Sequence, residues 1–159
     1  MKKFTAVLLT ALLAFSMVAC SSESSSSSEQ AEGPKDSGTL GEYEVAIKDC
    51  EVTQDYDGKD AVVITYEFTN NSDDDASFDV AMMTKVFQDG VELEHTSVYI
   101  DEESLEAVDG DCMKSIKPGN SLEVKTARAL DNMSSPVEVE VEEFLGNGDK
   151  LTKTFELAE

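Results

Sequence analysis

A chain of 159 residues with 34 acidic and 12 basic side chains carries a formal charge of −22. A field of that sign repels phosphate backbones and anionic lipid headgroups, so nucleic acid and direct docking on a membrane surface fit poorly as partner classes. The length suits one modest domain with an appendage, not two domains.

The N-terminal stretch reads as an export signal. Lys2 and Lys3 form a short basic start, residues 4–14 are apolar except for Thr5 and Thr10, and Val18 and Ala19 lead into Cys20. The apolar run is shorter than the ~20 residues needed to cross a hydrocarbon core, and no second run of that kind follows. Met17-Val18-Ala19-Cys20, continued by Ser21 and Ser22, resembles the lipobox of bacterial lipoproteins, with Met17 where leucine is usual. The resemblance implies that residues 1–19 are removed as a signal peptide. A diacylglycerol then sits on the Cys20 sulfur and palmitate-type chains hold the protein at the outer face of the bacterial cytoplasmic membrane. Two acyl chains, each methylene contributing about 0.8 kcal/mol, anchor stably where one does not. Losing Lys2 and Lys3 takes the side-chain charge from −22 to −24.

Residues 20–41 are expected to be a lipidated terminus and flexible linker. Serine, glutamate, glycine and proline dominate from Ser21 to Gly41, and such a tract buries too little to offset its ordering entropy. It spans roughly 25 Å on average and on the order of 70 Å when extended.

The remaining residues, 42–159, read as a domain of strands. Tyr43, Val45 and Ile47 share one parity, which slips to Cys50 and Val52 and so predicts a bulge near Lys48 and Asp49. Tyr56-Asp57-Gly58-Lys59 is a turn, with Asp57 expected to bond its own backbone. Val62, Ile64, Tyr66 and Phe68 then define one face of a central strand over residues 61–69. After a polar turn at residues 70–75, Phe78, Val80, Met82, Thr84 and Val86 share a parity and predict a strand. Asp89-Gly90 predicts a type I′ hairpin that pairs Val86 with Leu93 and Lys85 with Glu94. Met83 and Phe87 fall on the outer face.

Residues 95–115 are the least regular. Val98, Tyr99 and Ile100 suggest a short strand, residues 101–107 a turn or two of helix, and Asp109-Gly110-Asp111 its end. Pro118 and Gly119 predict a type II turn within residues 116–120. Residues 122–130 form a strand, and Val137, Val139 and Val141 define another, opened by Pro136. The connection around Asn147-Gly148 admits two registers, one of which, through a two-residue Asn-Gly turn, opposes Val141 to Thr154 and Val139 to Glu156. The preferred one opposes Val141 to Phe155 and Val139 to Leu157, because a one-residue slip turns an apolar face to water. About seven strands with regular turns and no long helix predict an antiparallel β-sandwich.

Asp55-Tyr56-Asp57-Gly58-Lys59, Tyr66-Glu67-Phe68-Thr69-Asn70-Asn71-Ser72, the stretch from Val86 to Leu93, Ile116-Lys117-Pro118-Gly119 and Ser135-Pro136-Val137-Glu138-Val139 together resemble the immunoglobulin-like domain of bacterial surface lipoproteins called domain of unknown function 5067. The resemblance implies an all-β, immunoglobulin-like antiparallel sandwich in a lipoprotein. It brings no catalytic residues and no activity.

No catalytic set emerges from the residues themselves. His95 is the only histidine, Ser97 beside it lacks a nucleophile-elbow context, and no tryptophan is present to stack a sugar. Asp73-Asp74-Asp75, Asp101-Glu102-Glu103 and Asp109-Gly110-Asp111 supply oxygens, but none has the spacing of a calcium loop. Cys50 and Cys112 form an even pair in an exported domain, so a disulfide and two free thiols both stand as readings. The expectation is a surface binding or envelope-interaction module without cofactor or catalysis, whose ligand is an unidentified protein, peptide or cell-wall component. An envelope hydrolase or a calcium-dependent surface protein is the alternative.

Overall fold

The computed structural model describes residues 35–100 and 106–157. The signal segment, Cys20, most of the linker and Asp101-Glu102-Glu103 lie outside them. Strands β1 (Ser37–Leu40), β2 (Tyr43–Gln54), β3 (Asp60–Asn70), β4 (Met82–Gln88), β5 (Val91–Glu92), β6 (Asn120–Ala129), β7 (Val137–Glu143) and β8 (Lys150–Phe155) form two four-stranded antiparallel sheets. Their orders are β1-β2-β3-β6 and β5-β4-β7-β8. In immunoglobulin terms, β2, β3 and β6 occupy the places of A, B and E, while β5, β4, β7 and β8 occupy those of C′, C, F and G. The place of D beside β6 is taken by residues 94–96. There the Ala129 N–H donates to Glu94 O at 2.9 Å, and His95 bridges Arg128.

The core lies between the sheets. Val62, Ile64 and Tyr66 on β3 are fully buried, as are Val137, Val139 and Val141 on β7, so the alternation read along each strand describes its true inner face. Phe68 packs against Tyr43 and Phe78, with ring centroids 5.4 and 5.7 Å away. The expected bulge is present: Ile47 pairs with Tyr66 and Asp49 with Thr65, leaving Lys48 as the extra residue. Both central turn residues of the β4–β5 hairpin, Asp89 and Gly90, have positive φ (50° and 78°), as a type I′ turn requires. Gly119, at φ 76°, serves the type II turn in which the Asn120 N–H donates to Lys117 O.

Several expectations are corrected. The sheet begins at Ser37, inside the span assigned to the linker, because β1 folds back on β2 and buries Leu40. In the turn after β2 the carboxylate that bonds the backbone belongs to Asp55, which accepts from the N–H groups of Asp57 and Lys59. Phe78–Ala81 is one helical turn (α1) instead of the start of β4. The spacing of Phe78 and Ala81 puts both on one helical face, which is buried, and leaves Val80 exposed.

The Val86–Leu93 pairing forms through the Leu93 N–H and Val86 O, but β5 ends at Glu92. Lys85 pairs instead with Glu142 on β7, and Glu94 turns away to β6. Val108–Asp111 is a 3₁₀ turn containing the Asp-Gly-Asp sequence expected to end a helix. Neither register considered for β7 and β8 is adopted. Val141 faces Leu151 and Val137 faces Phe155, across a wide connection of residues 144–149. The preferred register is displaced by four residues, an even number, so the same apolar parity still faces inward.

Candidate binding cleft

The outer face of the first sheet carries rows set by strand register. Glu51 on β2 lies beside Val63 on β3 and Ala127 on β6; Thr53, Ala61 and Ala129 form the next row; Asp49, Thr65 and Lys125 lie on the other side. Small and branched apolar residues on an outer face need cover. Val98 and Val108 supply it, and with Ala61, Val63 and Ala127 they make a second, minor core.

The covering segment is fixed at several points. Thr96 donates its hydroxyl to Asp55, and the Tyr56 N–H donates to Ser97 O at 3.0 Å. Residues 98–100 then run beside residues 106–108, with the Val108 N–H donating to Val98 O at 2.9 Å and the Ile100 N–H to Glu106 O at 2.8 Å. Between this ladder and the sheet lies a cleft of about 540 Å³. Val63, Val98 and Val108 form its floor, Tyr99 and Ile100 stand at its rim, and the charged side chains along it are mostly carboxylates. Of its two lysines, Lys114 is ion-paired with Asp111.

Among the described residues, those singled out in the sequence do not converge. Cys50 and Cys112 are free thiols. Cys50 stands in a row with Ile64 and Thr126, so about two strand spacings, roughly 9.6 Å, separate it from β6. Cys112 is held at β6 by a thiol hydrogen bond to Lys125 O at 3.1 Å. A disulfide requires Cα atoms within about 7 Å, and the pairing considered from composition is not formed.

Burial holds both thiols protonated, pushing Cys50 up to about 11 and Cys112 up to about 12. A mature chain carrying Cys20→Ser is therefore expected to react slowly with a thiol reagent when folded and to yield two thiols in denaturant without reductant. Yielding none would establish a bridge.

His95 lies near Arg128, Asp79 and Glu92, and its pKa is lowered first by burial and then by the Arg128 charge. Asp75 pairs with Lys117. Among the described residues no three metal-donating side chains come together.

Two features go beyond what the sequence predicts. One is the cleft. The other is Arg128, a guanidinium buried inside the sandwich that donates to Ala127 O and Thr84 Oγ1 and whose Nε has no hydrogen-bond partner among the described residues. Its position on the inner parity of β6, in step with Val124 and Thr126, is the signal by which the sequence could have revealed it.

The two sheets, their strand order and the covered outer face define an immunoglobulin-like β-sandwich with an acidic surface cleft. The chain belongs to the family described as domain of unknown function 5067, which matches residues 18–143. No curated protein matches its sequence. Among solved structures, a candidate lipoprotein from Staphylococcus aureus superposes with a TM-score of 0.59 at 15% identity, over 79% of this chain and 90% of its own. An uncharacterized β-sandwich protein from Clostridium difficile gives 0.54 at 16% identity, over 76% and 89%. A protein from Enterococcus faecalis gives 0.55 at 15%, over 77% and 90%. At these identities the likeness is one of fold.

Proposed function

We propose that the protein is a lipid-anchored cell-surface binding module without catalysis, and that the cleft on the outer face of the first sheet is its contact site. The observation that carries this reading is the construction of the cleft: an apolar floor, walls of fixed backbone, Tyr99 and Ile100 at the rim and charged side chains that are mostly carboxylates. Such a concave apolar surface with a few placed polar groups is what ligand sites have in common. The lipid anchor is supported by the lipobox-like run ending at Cys20, by a family match that begins at Val18 and so takes in that cysteine, and by the candidate lipoprotein among the structural relatives.

The test is hydrogen exchange on the mature chain with Cys20→Ser, alone and with solubilised envelope fragments. Slowed exchange at the amides of Ile100 and Val108 is expected. Slowing confined to the second sheet would overturn the assignment of the cleft.

A further inference from the structure

We infer that the cleft takes a ligand with two positively charged ends joined by an apolar stem, such as an extended peptide segment with lysines flanking aliphatic residues. This rests on the reading of the cleft as the binding site and adds the chemistry of what fills it. Four carboxylates, those of Glu51, Glu106, Asp111 and Glu123, line the cleft among the described residues, against the ammonium groups of Lys114 and Lys125. The Asp111–Lys114 pair neutralises itself. Glu51 and Glu123 are exposed and form no ion pair with another described residue.

Their placement decides the shape of the ligand. Glu51 is level with Ala127, two strands away on β6, and Glu123 lies four residues along β6 from Ala127. Two strand spacings and four strand residues set the two Cα atoms about 16 Å apart. One ammonium group or one metal ion does not reach both carboxylates.

Lys125 lies between them on the same face and repels a third positive charge at the centre. The cations therefore belong at the two ends. The stem crosses the floor of Val63, Val98 and Val108, where removal of apolar surface from water favours methylene groups. Tyr99 at the rim adds an aromatic face suited to a cation. The side-chain charge of −24 in the mature chain attracts such a ligand from a distance.

Calorimetric titration of the mature Cys20→Ser chain tests this with decanediamine, putrescine and a peptide of two lysines separated by three leucines. Decanediamine and the peptide are expected to bind, and putrescine, too short to span the carboxylates, is expected to bind about tenfold more weakly than decanediamine. The double change Glu51→Gln with Glu123→Gln is expected to weaken the long probes about tenfold. Removing two charges elsewhere, by Glu138→Gln with Asp149→Asn, is expected to change them less than about twofold in physiological salt.

Binding of decanediamine alone points to a free diamine as the source, and binding of the peptide alone to a protein segment; either supports the paired-cation chemistry. Equal weakening by both double changes reduces the effect to unspecific charge attraction and overturns the inference. So does failure of both long probes. If both fail while envelope fragments still slow exchange at Ile100 and Val108, the ligand chemistry is wrong and the cleft remains the site.

Discussion

Replacing Phe68 by alanine is expected to lower the melting temperature by on the order of 10–20 °C, among the large effects a single side-chain truncation in the sandwich has. Phe68 is 1% exposed and stands between Tyr43 and Phe78, and Phe78 in turn meets Tyr66 with centroids 5.1 Å apart. Truncating a buried phenylalanine removes its transfer free energy and leaves a cavity, together about 3–5 kcal/mol, in a domain whose total stability is on the order of 5–15 kcal/mol. The aromatic neighbours sharpen the loss, because each ring pair contributes about 0.5–1.5 kcal/mol beyond the area it buries. The ring cluster also joins β2 and β3 of the first sheet to α1, the turn that leads into the second, so its removal loosens the join between layers. Phe144 is the control: it is 56% exposed, and Phe144→Ala is expected to change stability by no more than about 0.5 kcal/mol. Thermal denaturation followed by circular dichroism measures both. Similar losses from the two variants would mean that the exposed end at Phe144 is covered and that the exposure assigned to it is wrong.

The inner face of β3 is legible in the sequence because Val62, Ile64, Tyr66 and Phe68 repeat with the strand period and nothing interrupts them. The bulge at Lys48 is legible for the same reason, since a change of parity within one strand has few other physical causes. Parity does not determine pairing over distance. Leu151, Lys153 and Phe155 all share one face of β8, so registers that differ by an even number of residues bury nearly the same set. What selects the observed one is the length of the connection at residues 144–149 and the fit of Leu151 into the core, neither of which is local.

Lys153 also hides its role in the sequence. Its ammonium group reaches Ile47 O and Lys48 O at the bulge, more than a hundred residues earlier in the chain. Phe78–Ala81 misleads because one helical turn and four residues of strand both place Phe78 inward; only the burial of Ala81 and the exposure of Val80 separate them. The cleft is illegible in the sequence because it is built over the outer face of the first sheet, where Val63, Ala61 and Ala127 read as scattered small residues until Val98 and Val108 are laid over them.

Cys20→Ser is expected to move the protein from the membrane fraction to the soluble fraction almost completely and to abolish incorporation of labelled palmitate. The described residues contain no helix long and apolar enough to span a bilayer, and the acidic head repels anionic headgroups, so the attachment expected from sequence rests on one sulfur. Each methylene of an acyl chain contributes about 0.8 kcal/mol, and two chains take attachment beyond the marginal, reversible binding of one. A serine hydroxyl has nearly the same size but is not the nucleophile that carries the lipid, so the substitution removes the anchor and leaves the head unchanged. The melting temperature of the head is expected to be the same in both forms, which separates loss of anchoring from loss of folding. Retention of the serine variant on membranes would show that another surface holds the protein there. In that event the exposed apolar side chains at the end of the sandwich, Val80, Phe144 and Leu145, would be the first to test, since they are the ones an acidic head could offer to a bilayer.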